Sequence, residues 1–395
     1  MKPLKIKPVY KDYIWGGDRL RTKYGKNTEI TPLAESWELS CHPDGLSIIC
    51  GGEHDGKTLA EYIKENKSCL GTLCKSDELP VLIKLIDAQD NLSVQVHPDD
   101  FMAKELEGQN GKTEMWYVVE SDKDAKITCG VKKDITKEML EQAIKDNTVE
   151  EILHTVSSQK GDVFFVEAGT IHAIGKGNVI AEIQQNSNVT YRLYDYNRKN
   201  KNGEKRELHI EKGVKAANCI KTQQRKIPMC SDNTRLIGSC EWFAVKELKL
   251  NGNKEMIADE KSYHSILVVD GIIELKSKKY TETFNLGETI FVPASFGEYT
   301  LSGKATVLIV NNQPDYYIRI DLDSTNVVAT VVDGYGVIYG KAARKTKALR
   351  TCQGIFHDIE VCAKDAASES GILFEDIKSV GIGCPKVIDK YTGNI

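Results

Sequence analysis

The chain has 395 residues, of which 41% are hydrophobic and 28% charged, and acidic and basic residues intersperse to a formal net charge of −4. This is the profile of a globular protein of two or three domains with ample core, and it offers no electrostatic case for a nucleic-acid or membrane partner. The 11 Cys are odd in number and include no Cys-x-x-Cys pair, which points to reduced thiols and a cytoplasmic protein. The N-terminus lacks an apolar signal core, and no apolar run nears the roughly 20 residues that span a bilayer.

Strand signals dominate the chain up to about residue 315. Short β-branched runs, at Ser47 to Cys50, Pro80 to Ile86, Trp116 to Val119 and Val163 to Val166, alternate with Gly/Asp/Asn turns. Such punctuation predicts a sandwich or barrel. Helical periodicity covers Thr58 to Asn66 and a longer stretch from about Asp134 to His154, with Asp134 or Thr136 as cap. The polar segment Tyr194 to Glu207 reads as a loop, and its Arg198 to Arg206 charges as a solvated face.

Three segments carry metal-ligand chemistry: Gln95-Val96-His97, Lys112-Thr113-Glu114, and His172 at the end of Gly161 to His172. Two imidazoles, a carboxylate and an amide oxygen suit a borderline divalent ion, zinc first. Gln95 and His97 are two apart and share one strand face.

The pattern then echoes itself. Glu114 to Glu120 is similar to Tyr263 to Gly271, and Gly161 to His172 is similar to Gly287 to Glu298. Two copies of one β-roll are expected, the second without metal because Glu298 stands where the first has His172. After Pro314 come strand patterns at Tyr316 to Leu322, Asn326 to Asp333 and Gly336 to Ala343, a helical stretch from Ile355 to Ser370, and Val380 to Gly383. That order predicts the start of an α/β domain.

From Asp12-Tyr13-Ile14-Trp15-Gly16-Gly17 to about Gln313, the chain resembles mannose-6-phosphate isomerases of the short bacterial type. The segments that carry the likeness are Gln95-x-His97, Gly111 to Trp116, Ala168 to Gly175, Glu182 to Gln185 and Thr190 to Tyr196. The resemblance implies a mainly β protein of cupin (double-stranded β-helix, jelly-roll) repeats with a few helices. It implies one Zn2+ per chain and interconversion of mannose 6-phosphate and fructose 6-phosphate through an enediol. Glu167 departs from the family pattern, which has Pro there.

The tail from Ile320 to Asn326 and from Gly381 to Asp389 resembles the ROK family of sugar kinases and repressors. This implies a partial actin-like (ribonuclease H-like) α/β fragment. Asp323-Ser324 replaces the Gly-Gly pair that lets backbone approach phosphate, so kinase activity is not expected. The domain plan is thus 1–230, a catalytic zinc cupin with a helical insertion; 231–315, a metal-free cupin-like domain; and 316–395, the truncated fragment.

On this reading His97, Glu114 and His172 ligate the metal. Gln95 is a fourth ligand or a hydrogen-bonding neighbour. Alternation puts Thr190, Arg192 and Tyr194 on one strand face. The resemblance makes Arg192 the catalytic arginine; a structural salt bridge to Asp195 is the alternative. Lys112 shares the face of Glu114 and could stabilise an oxyanion or shuttle a proton. Glu182 is the best carboxylate for proton transfer. Lys84, in an apolar strand where an unpaired ammonium is hard to bury, lines the pocket by resemblance. Trp15 is a pocket wall or a core residue.

The expected partner is a small sugar phosphate, with no nucleic acid and no membrane; the oligomeric state stays open. A non-catalytic sugar-phosphate-sensing cupin fused to a repressor-like fragment is the alternative, but no basic recognition helix is evident. An oxygen-dependent cupin would prefer iron and a less cationic pocket.

Overall fold

The computed structural model describes residues 1–199, 203–221, 233–313, 316–323, 326–333, 336, 338–345, 352–372 and 374–383. These form two compact units, one of residues 1–237 with 245–312, the other of 238–244 with 313–395. The expected boundaries at 230–231 and 315 fall outside the described residues.

In the first unit eleven strands build the sheets that frame the ligand segments. They are β1 (Val9–Lys11), β2 (Glu35–Leu39), β3 (Val81–Ala88), β4 (Val94–Val96), β5 (Glu114–Ser121), β6 (Lys126–Val131), β7 (Leu153–Ser157), β8 (Val163–Val166), β9 (His172–Ile174), β10 (Asn178–Gln185) and β11 (Tyr191–Tyr194). One sheet runs β8-β5-β10-β3-β2-β1, the other β11-β4-β9-β6-β7. Ile86, Trp116, Val118, Phe164, Val166 and Ile180 of the first sheet share one apolar cluster with Ile127, Cys129 and Ile174 of the second. The two inner faces therefore pack on each other, as in a sandwich closed into a roll.

Strands β3 and β10 are buried along their whole length. Burial on both faces explains why their sequences lack polar alternation. The outer face of the second sheet is covered by helices: Leu140, Ile144 and Val149 pack with Val94, Val131, Leu193 and Ala217.

The stretch from Asp134 to His154 is not one helix. Helix Lys137–Lys145 starts at Thr136, whose side chain accepts from the Met139 N–H. It stops because Asn147 takes a left-handed φ of 58°, which an α-helix does not continue through. A single turn at Val149–Ile152 follows, and His154 already lies in β7.

A second sheet system, most of it in the same unit, runs Thr234–Ser239, Ala244–Ala258, Gly297–Asn311, His264–Lys276, Thr289–Val292, Leu4–Lys7, Ile48–Cys50, with Thr281–Asn285 paired to His264–Lys276. It encloses its own apolar cluster with Ile266, Val268, Phe284, Ile290, Tyr299 and Val307. The chain's first strand is thus part of the second roll, through pairs such as Leu4↔Phe291. Tyr117 Oη donates to Glu247 Oε1 at 2.9 Å, which stitches β5 to that roll.

The second unit holds a sheet ordered Ile338–Lys345, Asn326–Asp333, Tyr316–Leu322, Ile377–Gly383, with helix Cys352–Ser370. The first three strands are antiparallel neighbours; the last runs parallel to Tyr316–Leu322. Ile359, Ala363 and Ala366 of the helix pack on Ile318, Ile320, Ala329 and Val331. Ser324, Thr325 and Cys384 to Asp389 of the tail motifs lie outside the described residues. Among the described residues no helix is long and apolar enough to cross a membrane.

Candidate active site

Strand pairing brings the three ligand segments together. His172 on β9 is the register partner of Gln95 on β4, and Arg192 on β11 partners Gln95 from the other side. His97 follows β4, and its carbonyl accepts from the Gly169 N–H at 2.8 Å. That contact anchors the turn before His172. Glu167, the departure from the family pattern, is exposed on this turn, where its carbonyl accepts from the Thr170 N–H at 3.0 Å.

His97, Glu114 and His172 are buried, and their ligating atoms all lie within 4.8 Å of one another. His97 Nε2 is 3.4 Å from Glu114 Oε2, and His172 Nε2 is 3.4 Å from Glu114 Oε1. Each imidazole places Nδ1 against a backbone carbonyl, His97 on Val189 and His172 on Thr170, both at 2.8 Å. A carbonyl can only accept, so each Nδ1 carries the proton and each Nε2 lone pair faces inward.

Burial, then the Lys112 ammonium, pushes His97 down to about 3. Burial also lowers His172. Burial alone would raise the Glu114 carboxyl, but the Lys112 ammonium beside it outweighs this and holds it well below the usual carboxylate range. Neutral imidazoles and an ionised carboxylate are the protonation states a divalent cation requires. Glu114 Oε1 is buried and accepts no hydrogen bond among the described residues. An orphaned carboxylate oxygen between two inward lone pairs fits a cation.

Gln95 brings its amide to 3.2 Å from His172 Nε2. Rotating that amide would present its oxygen to the same point. Lys112 touches both His97 Nε2, at 2.9 Å, and Glu114.

Beside this cluster lies a cavity of about 290 Å³ lined by Trp15, Lys84, Gln95, Lys112, Glu182 and Arg192. The sequence-selected residues other than the three ligands therefore share one cavity. Lys84 is paired, as its burial demands: its Nζ is 3.2 Å from Glu182 Oε1 and 3.8 Å from Glu35 Oε2. Burial pulls its ammonium pKa down, and Glu35 and then Glu182 more than reverse this, so it ends above the ordinary lysine value. Trp116 Nε1 donates to Glu182 Oε2 at 3.0 Å. Trp15 is both wall and core, stacked on Tyr13 with ring centroids 5.5 Å apart.

Arg192 does not pair with Asp195. Its Nη1 donates to the Glu207 carbonyl at 2.8 Å, and its buried Nε has no partner among the described residues. Asp195 is instead gripped by Arg198 and Arg206, with Arg206 Nε at 2.8 Å. Here the solvated-loop reading of the Arg198 to Arg206 charges is corrected: Arg206 lines the cavity, drawn in by the buried Asp195. Residues 200–202 of that segment lie outside the described residues.

Sequence reasoning also missed Glu35. The signal was present: in Glu35-Ser36-Trp37-Glu38-Leu39 two acids interrupt an apolar strand, and all five residues are buried. A buried acid without an evident partner marks a site.

Residues 4–123 match the family model for phosphomannose isomerase type I, catalytic domain, and residues 232–312 that for the mannose-6-phosphate isomerase cupin domain. The chain is 36% identical over 313 residues to mannose-6-phosphate isomerase ManA of Bacillus subtilis, covering 78% of this chain and 98% of that protein. It is 34% identical over 311 residues to a mannose-6-phosphate isomerase of Streptococcus mutans, with 78% and 97% covered. The crystal structure of a Bacillus subtilis mannose 6-phosphate isomerase superposes with a TM-score of 0.73 at 33% identity, over 78% of this chain and 99% of that one. On fold, site and relatives together, the chain belongs to the type I mannose-6-phosphate isomerase family, a mainly β, cupin-containing fold.

Proposed function

We propose that this chain is a zinc-dependent aldose-ketose isomerase that interconverts D-mannose 6-phosphate and D-fructose 6-phosphate. The observation that carries the reading is the convergence of His97 Nε2, His172 Nε2 and the unpartnered Glu114 Oε1 beside a sugar-sized, cation-rich cavity.

His97, Glu114 and His172 would hold the ion, with Gln95 as fourth ligand through its amide oxygen. When bound, zinc supplies Lewis-acid stabilisation of negative charge on a sugar oxygen. Two imidazoles and a carboxylate suit zinc by ligand type.

The remaining work falls to the cavity wall. Isomerisation moves a proton between C1 and C2. Glu182 is the carboxylate within reach, and the Trp116 indole fixes one of its oxygens. Lys84 and Lys112 flank Glu182 at 3.2 and 3.9 Å and would steady the charge that develops on the enediol oxygens. Among the described residues no carboxylate is hydrogen-bonded to Arg192. Its fork is available to an anionic oxygen of the substrate. Trp15 and Tyr13 supply an apolar wall for a sugar face.

The tail supports a further assignment as an actin-like fragment of ROK type. What supports this reading is three antiparallel strands, a helix and a fourth strand parallel to the first. Asp323 stands where that family has Gly, and its carboxylate accepts from the Asn326 N–H at 2.7 Å. No phosphoryl transfer is expected from it. Formation of fructose 6-phosphate from mannose 6-phosphate, followed by a coupled assay on metal-replete protein, tests the main reading. No turnover would contradict it.

A further inference from the structure

Trp37, Lys84, Glu182 and Trp116 stand side by side across β2, β3, β10 and β5. Trp37 is the register partner of Lys84, Lys84 of Glu182, and Glu182 of Trp116. The two tryptophans bracket the row, and each gives its indole N–H to a carboxylate. Trp116 holds Glu182 at 3.0 Å. Trp37 holds Glu35, two residues earlier on its own strand, at 2.7 Å. Lys84 lies between the two carboxylates and 5.1 Å over the Trp37 ring.

The proposed chemistry uses Lys84 and Glu182 but gives Glu35 and Trp37 nothing to do. Yet Glu35 lines the cavity and is buried. A buried carboxylate is costly unless it is both hydrogen-bonded and charge-paired. Trp37 meets the first demand and Lys84 the second.

An ammonium with one carboxylate neighbour collapses onto it as a tight pair. Here it is shared, 3.2 Å from Glu182 and 3.8 Å from Glu35, so Glu182 does not hold it alone. We propose that Glu35, locked by the Trp37 indole, is a positioning residue that holds the Lys84 ammonium at the cavity wall and keeps Glu182 available to substrate. This rests on the assignment of Lys84 and Glu182 to the isomerase site.

The groups that face Lys84 are Glu35 from β2, Glu182 from β10, Glu114 at the start of β5 with Lys112 two residues before it, and Tyr13 from the turn after β1. Glu35 is the largest of the influences that keep Lys84 charged. Neutralising it would release Lys84 toward Glu182 and let it titrate at lower pH.

The experiment uses the metal-replete full chain. Lys84→Met, Glu35→Gln, Glu35→Asp and Trp37→Phe are compared for kcat, KM and pH profile, with circular dichroism and Tm as folding controls. Lys84→Met tests the underlying assignment: near-native turnover in it would remove the basis of the inference. With Lys84→Met inactive, Glu35→Gln should lose about tenfold in kcat, the scale of one charge-assisted hydrogen bond. KM should change little, and a new alkaline limb should enter the profile. Glu35→Asp should restore part of kcat, and Trp37→Phe should show a smaller loss of the same kind. A Glu35→Gln variant with wild-type kcat and pH profile would overturn the proposal. So would losses that only follow Tm with the profile unmoved, since Glu35 would then be structural.

Discussion

Lys84 and Glu182 are register partners on adjacent antiparallel strands, with 3.2 Å between ammonium and carboxylate. Both are buried on the cavity wall. A pair so placed is poised for chemistry and adds little to stability, because its desolvation roughly cancels its attraction.

Glu182→Gln should therefore lower kcat by about 10² to 10⁴, the range for losing one general acid–base group. The fold should survive, since the amide can still accept from the Trp116 indole. Steady-state kinetics beside zinc analysis checks this. Near-native turnover would move proton transfer to another group.

Arg192→Ala should leave metal content intact and reduce turnover by about 10² or more, as for loss of one preorganised charge at a developing oxyanion. Arg192→Lys should recover little, because the planar fork is lost. The Ala variant loses only a donor to the Glu207 carbonyl within the protein, so its Tm should fall only slightly. A large Tm loss with unchanged kcat would make Arg192 a structural residue.

His264 predicts an acid limb of stability away from the site. Burial holds its pKa at about 4 while Nδ1 contacts Tyr299 Oη at 2.7 Å. An unfolded His titrates near 6.5. Between these values the unfolded chain takes up a proton that the folded chain refuses, so stability falls as pH drops from about 7 toward 4. From pH 7.5 to 5 this amounts to about 2 kcal/mol at ~1.4 kcal/mol per pKa unit. Urea midpoints at the two pH values should differ less in His264→Gln than in the native chain. Equal differences would show that His264 does not set the limb.

Removing residues 313–395 should leave isomerase turnover within about twofold while lowering Tm, by several degrees on the scale of one or two lost buried contacts. Residues 238–244 belong to the same compact unit as the tail, and the buried Ser239 donates to Asp333 at 3.1 Å. They would lose those partners. Loss of turnover in soluble truncated protein would give the tail a role in catalysis.

The candidate site residues were legible partly from chemistry that is costly on a strand and mainly from motifs shared with the isomerase family. Lys84 in an apolar run and Arg192 on an inward strand face are expensive where they stand unless they meet an anion, whereas His97, Glu114 and His172 are read from ligand type, motif spacing and the family resemblance. Glu35 escaped because its partners, Lys84 and Trp37, meet it through strand pairing and an indole bond that spacing does not encode. Arg206 escaped because its capture by Asp195 spans a loop whose charge density reads as solvated. The long helix from Asp134 failed at Asn147, where one left-handed residue ended a pattern that periodicity alone would continue.

The most direct measurement is fructose 6-phosphate formation by metal-stripped protein, titrated with zinc. His97→Ala serves as a variant with an incomplete ligand set. Stripped protein should be inactive and recover fully at about one zinc per chain, as a single three- or four-ligand site requires. The His97→Ala protein should fail to recover at that stoichiometry. Full turnover in stripped protein, or recovery in His97→Ala at one equivalent, would contradict the assignment of His97, Glu114 and His172 as the metal centre of the isomerase.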